Sequence, residues 1–169
     1  MESVIISIRP EWVAKILNGE KIGELRKTVP NRKLPIDGYI YCTKGKRRLV
    51  LTKENYAFFG SSCIAGDIDL NGMVVAKFTL RSVEKVIARD WGGIKPMIVY
   101  EPESMRAMCI LKEETCLNYD QINSYLDGSD GYVWYISDLV IFDKPQELSE
   151  FGVKRAPQSW CYVKEENDA

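Results

Sequence analysis

Short apolar runs rich in β-branched and aromatic residues recur along this chain and predict a protein made largely of strands. Clusters of Gly, Pro, Asn and Asp separate the runs from one another. The longest unbroken β pattern contains Met-Val-Val-Ala-Lys-Phe-Thr-Leu. The sequence therefore predicts six or seven strands, from the segments 4–8, 20–27, 38–43, 47–51, 72–86, 132–142 and 159–163.

Helical spacing is confined to short segments. The first predicted helix begins at Pro10 and ends at Asn18-Gly19, where glycine suits a left-handed terminal residue. Its apolar positions are Trp12, Val13, Ile16 and Leu17. Further short helices are predicted at 103–111, 118–126 and 146–151, whereas 90–102 contains two glycines and two prolines and predicts a loop.

The predicted strands are not separated by regular helices, so a parallel α/β sheet is disfavoured. We therefore predict a β-rich α+β fold, a small closed or half-open barrel with short helices on its flank. The length of 169 residues fits a single domain spanning residues 1–169, with segments 53–70 and 88–128 as candidate insertions.

Composition narrows the classes of function. The chain has no histidine, which excludes Ser-His-Asp and Cys-His catalysis and disfavours a zinc site. Its five cysteines form no CxxC pair, and its first residues do not resemble a signal peptide, so we expect free thiols in the cytoplasm. No apolar run reaches the roughly 18 residues of a membrane span. We expect no cofactor, no metal and no membrane association.

The charges are distributed unevenly along the chain. Residues 1–53 carry 12 Lys and Arg against 5 Asp and Glu, whereas residues 54–169 carry 11 against 19. Such asymmetry favours a basic surface with an anionic partner. Alternatively, the fold intermixes the two halves and averages the field.

The segment 19–26 reads Gly-Glu-Lys-Ile-Gly-Glu-Leu-Arg. Lysine and arginine can contact phosphate, and a carboxylate can accept a hydrogen bond from a base, as it does from cytosine N4. Strand alternation places Glu24 and Arg26 on one face, and a bulge at Gly23 would bring Lys21 to the same side. The alternative is a solvated Glu-Arg pair worth at most ~1 kcal/mol.

This segment is similar to the Gly-x-Lys-x-x-Glu-x-Arg signature of ASCH domains, and Gly19, Lys21, Glu24 and Arg26 fill its four positions. Segments 7–12, 134–139 and 157–160 also resemble ASCH-like proteins of bacteria and their phages. The resemblance implies a PUA-like β-barrel whose signature residues line a cleft that binds RNA or modified nucleosides.

The resemblance also implies a hydrolase as an alternative, because relatives include an amidohydrolase of an acetylated cytidine and ribonucleases. In such an enzyme Lys21 would be the base and Glu24 the acid–base partner. The amidohydrolase pattern has a threonine at the position of Glu24, so its nucleophile is missing here. A further alternative is a protein-interaction module of a mobile element, and the oligomeric state stays open.

A second basic cluster consists of Lys44, Lys46, Arg47 and Arg48, with Arg32 and Lys33 upstream and Tyr39 and Tyr41 nearby. Basic residues interleaved with aromatics suit single-stranded RNA, but such a cluster can also be a solubilising hairpin tip. Trp134 and Trp160 are candidates for base stacking or for the core. Our candidate ligand- or RNA-binding residues are Lys21, Glu24, Arg26, Lys27, Arg9, Lys44, Lys46, Arg47 and Trp160.

Overall fold

A computed structural model describes residues 2–61, 64–91, 94–100 and 105–164. Seven strands form the main sheet: β1 (Glu2–Ile8), β2 (Gly23–Arg26), β3 (Ile36–Cys42), β7 (Val74–Trp91), β8 (Ile94–Tyr100), β9 (Gly131–Gln146) and β10 (Trp160–Lys164). Their order in the sheet is β10-β1-β3-β7-β9-β2, and β8 pairs with β7 beside this path. Strands β1 and β3 are parallel, and the other described pairs are antiparallel.

The sheet is β-rich as predicted, but it is not closed into a barrel. The terminal strands β2 and β10 pair with β9 and β1, respectively, and not with each other. Side chains bridge the two at one end, where Trp160 Nε1 donates to Thr28 Oγ1 at 2.9 Å and the Asn31 amide donates to the Tyr162 hydroxyl at 2.7 Å. The remaining gap between these edges is therefore available to a cleft.

The prediction of a loop over 90–102 is wrong for the residues that the structure describes there. Strand β7 continues to Trp91, and β8 pairs with it from Tyr100 to Ile94. The Ile, Val and Tyr residues of this segment favour a strand. Pro96 is compatible with β8 because β8 pairs on one side only, and edge strands tolerate proline.

The strand predicted at 47–51 and part of the candidate insertion 53–70 form a second, three-stranded sheet in the order β5-β4-β6. Its strands are β4 (Leu49–Leu51), β5 (Ala57–Phe59) and β6 (Ile68–Asp69). Asn18, which ends helix α1 (Pro10–Leu17), holds β5 through two 2.8 Å hydrogen bonds to the Ala57 backbone. Leu49, Leu51 and Ala57 join the main core, so this part of the 53–70 segment covers the sheet.

The first residues of β9 are covered on both faces of the sheet. Trp134 is fully buried in the main core, with Tyr132 and Ile136 packed on the same side. Val133 belongs to a second core beneath helices α2 (Met105–Thr115) and α3 (Tyr119–Leu126). The helices therefore cover the face of the sheet that the sequence pattern left unassigned. That second core comprises Leu25, Val86, Leu111, Ile122, Leu126 and Val133.

Glycine is required at residue 38 in β3. Gly38 pairs directly with Phe78 of β7, and a Cβ at residue 38 would stand 2.4 Å from the Phe78 ring. The aromatic ring thus covers the glycine across the strands and fixes the β3–β7 contact beside the main core.

Candidate functional site

A cleft of about 810 Å³ opens between β1, β2, the N-terminus of α1, helix α3 and the loop before β10. Its floor is formed by Lys21, Glu24 and Arg26, all three of them buried. Ser7 and Thr43 line the sheet side, and the Pro157-Gln158-Ser159 loop lines the opposite edge. The cleft therefore lies beside the edge strand β2 and the loop before β10.

The three floor residues form one ion-paired cluster. Lys21 Nζ lies 3.1 Å from Glu24 Oε2, and Arg26 Nη2 lies 3.1 Å from Glu24 Oε1. The exposed fractions of their side chains are 1% for Lys21, 8% for Glu24 and 9% for Arg26. The hypothesis of a solvated pair on a strand is therefore wrong, since the charges are withdrawn from bulk water.

Backbone carbonyl groups hold the two cations in place. Lys21 Nζ donates to the Thr115 carbonyl oxygen at 2.5 Å, and Arg26 Nη2 donates to the Ser7 carbonyl oxygen at 2.7 Å. Lys21 Nζ also lies 5.5 Å from the centroid of the Trp12 ring, within the range of a cation–π contact. Three separate elements thus position this cluster: β1, α1 and the end of α2.

The expected bulge at Gly23 is absent. The β2–β9 register runs without a shift from Gly23 to Arg26, so Glu24 and Arg26 share one face as alternation predicted. Lys21 reaches Glu24 because it precedes the strand, in a turn whose amide donates to the Lys15 carbonyl at the end of α1. Gly23 instead leaves room for the Val133 side chain, because a Cβ at residue 23 would stand 2.7 Å from Val133 Cγ1.

Two buried polar atoms of the cluster have no hydrogen-bond partner among the described residues: the acceptor Glu24 Oε2 and the donor Arg26 Nε. Glu24 Oε2 is within ion-pair distance of Lys21 Nζ, but the contact does not have hydrogen-bond geometry. Buried polar groups are nearly always satisfied in folded proteins. One acceptor and one donor at the floor of a cleft therefore indicate a place where a ligand can bind.

Helix α3 supplies a wall of the cleft that the sequence did not predict. Gln121, Ser124 and Tyr125 line it, and Tyr125 lies at the rim with Lys27 Nζ 5.7 Å from its ring centroid. Helical spacing of these polar residues was visible in the sequence. Their proximity to 19–26 was not, because roughly a hundred residues separate the two segments.

The predicted site residues fall into two places. Arg9 lines the cleft with the floor cluster, and exposed Lys27 contacts its rim through Tyr125. Lys44, Lys46 and Arg47 are exposed and are not among the lining residues. Trp160 also lies outside the lining and packs against Trp134, with ring centroids 5.4 Å apart.

Three further polar or aromatic residues have structural roles: Tyr39, Tyr41 and Asp138. Tyr39 and Tyr41 are buried in a third core and offer no stacking surface to RNA. Asp138 is half exposed in a left-handed backbone conformation and pairs with Arg81 at 2.7 Å, so it contacts a basic residue at the surface and not in the core.

The charged residues that line the cleft balance in formal charge. The cations are Arg9, Lys21 and Arg26, and the carboxylates are Glu11, Glu24 and Asp120. The described residues contain no cluster of His, Cys, Asp or Glu suited to a metal ion. Within the same residues, no helix is long and apolar enough to cross a membrane.

These features define an α+β protein with an open, mostly antiparallel sheet and a cleft floored by a buried ion-paired cluster. Crystal structures of an ASCH protein from Zymomonas mobilis have the same fold. One matches with a TM-score of 0.61 and 17% identity, covering 97% of this chain and 89% of that one. A serine-to-alanine variant of that protein matches with a TM-score of 0.60, 17% identity and the same coverage of both chains.

A tyrosine-to-phenylalanine variant gives a TM-score of 0.58, with 16% identity over 97% of this chain and 91% of that one. No family model matches the chain, and no curated protein does. The fold is therefore that of an ASCH protein, in agreement with the resemblance carried by residues 19–26.

Proposed function

We propose that the cleft binds a nucleobase, presented either by a free or modified nucleoside or by an RNA. The observation that carries this proposal is an acceptor and a donor without a hydrogen bond among the described residues, Glu24 Oε2 and Arg26 Nε, in a buried ion-paired cluster. The Watson–Crick edge of every base offers a donor beside an acceptor, and a carboxylate is a suitable acceptor for an exocyclic amine.

The size and walls of the cleft fit a single nucleoside. A volume of about 810 Å³ lies within the range of roughly 300–1,000 Å³ that small-molecule sites occupy. Trp12 and Tyr125 add aromatic surface on which a base can pack. The polar side chains of Gln121, Ser124 and Gln158 surround this surface and can bond a sugar or the second edge of a base.

Each floor residue has a distinct role in this proposal. Glu24 accepts a hydrogen bond from the base, and Arg26 donates one through Nε. Lys21 is a positioning residue: its ammonium group holds the Glu24 carboxylate and is itself held by the Thr115 carbonyl oxygen. Fixing donor and acceptor before binding reduces the entropy cost of ordering them.

Substitution of Arg26 by lysine tests the proposal. The Arg26→Lys variant keeps a cation beside Glu24 and removes the Nε donor. Isothermal titration with the four ribonucleosides should show an affinity loss of about 10- to 100-fold, the usual effect of a hydrogen bond to a charged group. The control is Arg32→Lys, an exposed arginine whose Nε bonds Glu2 at 2.8 Å outside the cleft. Equal affinity of the wild type and the Arg26→Lys variant would refute the proposal.

Two further measurements distinguish a free nucleoside from an RNA as the source of the base. Nucleosides binding more tightly than oligoribonucleotides would identify a free nucleoside as the ligand, and the reverse order would identify RNA. Mass spectrometry of material that co-purifies at low salt gives an independent answer. Acylated nucleosides or RNA hydrolysed by the wild type, but not by Lys21→Ala, would replace binding by hydrolysis as the function.

A further inference from the structure

Residues 43–61 form a strongly basic segment of which only Thr43 lines the cleft. They contain five Lys and Arg and a single carboxylate, that of Glu54. All five cationic residues are exposed. Strands β4 and β5 form a hairpin inside this segment, so the charges lie on and beside an ordered element.

Aromatic rings interleave with these cations. Tyr56 is 58% exposed, and its ring lies over that of Phe58 with centroids 6.5 Å apart and planes 16° apart. The Arg47 guanidinium lies 4.1 Å from the centroid of Phe59. Planar groups at the surface therefore alternate with positive charge, the arrangement in which protein surfaces hold stacked bases along a phosphate backbone.

Most of the positive charge on the hairpin is not neutralised. Arg48 pairs with Asp69 at 2.7 Å. Within the described part of the chain, Lys46, Arg47 and Lys53 form no ion pair. An exposed cation without a carboxylate partner can exchange its counterions for phosphates, which is the source of electrostatic affinity for nucleic acid.

The hairpin is held firmly by side-chain clamps. Asn71 Nδ2 donates to the Arg47 carbonyl oxygen at 2.9 Å, and Asn71 Oδ1 accepts from the Leu49 amide at 2.7 Å. The Asn18–Ala57 bonds fix the opposite strand to α1. A surface held in this way loses little conformational entropy when a ligand binds.

We propose that Lys46, Arg47, Lys53, Tyr56 and Phe58, called here the hairpin surface, bind single-stranded nucleic acid. The cations contact successive phosphates, and Tyr56 stacks on an unpaired base. An acidic protein would satisfy the charges but would leave the exposed Tyr56 ring without a planar partner. Thr43 lines the cleft and is followed directly by Lys44, so a single nucleic-acid strand can run from the hairpin surface to the cleft rim. Binding here does not depend on what the cleft holds.

Fluorescence anisotropy with a labelled oligouridylate of about 12 nucleotides tests this proposal. The test variant replaces Lys46, Arg47 and Lys53 by glutamine. The matched control replaces Lys144, Lys154 and Lys164, which are exposed and lie on β9, β10 and the loop between them. Each variant loses three positive charges, so a difference between their affinities for the oligouridylate reports where the lost charges lie and not how many were lost.

The hairpin variant should bind the oligouridylate at least tenfold more weakly, and its slope of log affinity against log salt should fall by about 2. The control variant should bind like the wild type. Tyr56→Ala should lose roughly tenfold in affinity, whereas Tyr119→Ala, another exposed tyrosine, should not. Equal losses in the two triple variants, or no binding by the wild type, would overturn the proposal. Retention of the wild type on anionic vesicles but not on RNA would likewise overturn it.

Photocrosslinking of the wild type with 4-thiouridine oligonucleotides covers the case in which the triple variant fails to fold. Crosslinks within residues 43–61 support the proposal, and crosslinks confined to other segments refute it. Nucleoside titrations of the Arg26→Lys variant report on the cleft, because Arg26 lines the cleft and is not part of the hairpin surface. Failure of the cleft proposal and failure of this one are therefore distinguishable.

Discussion

At the residue scale, the main feature is a buried carboxylate held between two cations. Desolvation makes such clusters a weak source of stability, and well-packed apolar residues often serve folding as well or better. Lys21, Glu24 and Arg26 also leave two polar atoms unsatisfied, which adds a further cost. These costs are expected at a site where ligand atoms complete the hydrogen bonds.

Removing the central carboxylate should destabilise the protein strongly. Glu24→Ala leaves Lys21 and Arg26 buried without their partner and should lower the free energy of unfolding by about 3–5 kcal/mol. The matched control is Glu20→Ala, which removes an exposed ion pair with Lys15 and should cost less than about 1 kcal/mol. Urea denaturation measures both values. Similar small losses in the two variants would show that the cluster is solvated.

Cys42 should respond to alkaline pH. Burial, with a smaller contribution from the carboxylates of Asp69 and Glu11, raises the pKa of its thiol from 9.0 to about 12. Above pH 9 the unfolded chain loses this proton and the folded chain keeps it, so stability falls as pH rises towards 12. The wild type should lose about 1 kcal/mol more than Cys42→Ala between pH 9 and pH 10.

Urea denaturation at the two pH values gives that difference, because the other titrating groups are common to both proteins. In the folded protein, Cys42 should also resist alkylation while exposed Cys109 reacts. An identical pH dependence in the wild type and in Cys42→Ala, or rapid alkylation of Cys42, would contradict this assignment.

At the element scale, helices α2 and α3 convert a sheet edge into a cleft. The end of α2 supplies the carbonyl oxygen that accepts from Lys21, and α3 supplies the wall opposite. Asn118 caps α3 through a reciprocal pair of 2.9 Å hydrogen bonds with Gln121. The cap therefore couples the stability of the helix to the shape of the cleft.

Loss of this cap should weaken both folding and binding. Asn118→Ala should lower the free energy of unfolding by about 1 kcal/mol and reduce nucleoside affinity, because a frayed first turn displaces Gln121. Asn123→Ala is the control, since Asn123 lies inside the same helix and its side chain caps nothing. Thermal denaturation and calorimetric titration measure the two effects. Unchanged affinity in Asn118→Ala would separate the first turn of α3 from the site.

Elements with strong local signals were predictable, and those set by their neighbours were not. Helix α1 and the strands from β1 to β3 follow the apolar pattern closely. The extension of β7 to Trp91 and the whole of β8 were not predicted from the apolar pattern. Each of these strands is stabilised by pairing with the other. The glycines and prolines of that segment predicted a loop because the sequence does not show that β7 and β8 pair.

At the scale of the whole molecule, the fold brings the basic and acidic halves of the chain together. Strand β1 lies between β10 and β3, and β9 lies between β7 and β2, so both halves contribute to one sheet. The two halves of the chain are therefore intermixed in the sheet. An excess of positive charge persists on residues 43–61, while the charges lining the cleft balance.

This distribution predicts two different salt dependences. Nucleoside affinity in the cleft should change less than about twofold between 50 and 300 mM salt, because the lining is balanced and buried charges are weakly screened. Oligouridylate affinity should fall steeply over the same range through counterion release at the hairpin surface. Parallel titrations measure both. Equal salt slopes for the two ligands would show that they share one site.

The sequence alone determined the β-rich class, the first helix and the residues of the 19–26 segment, because strand alternation, helical spacing and a short motif are local properties. Only the tertiary structure decided that the sheet stays open and that Glu24 is buried between two cations. It also brought α3 and the loop before β10 to face Arg26. Those features depend on contacts between residues about a hundred positions or more apart, and no local pattern of polar and apolar residues encodes which distant segments will meet.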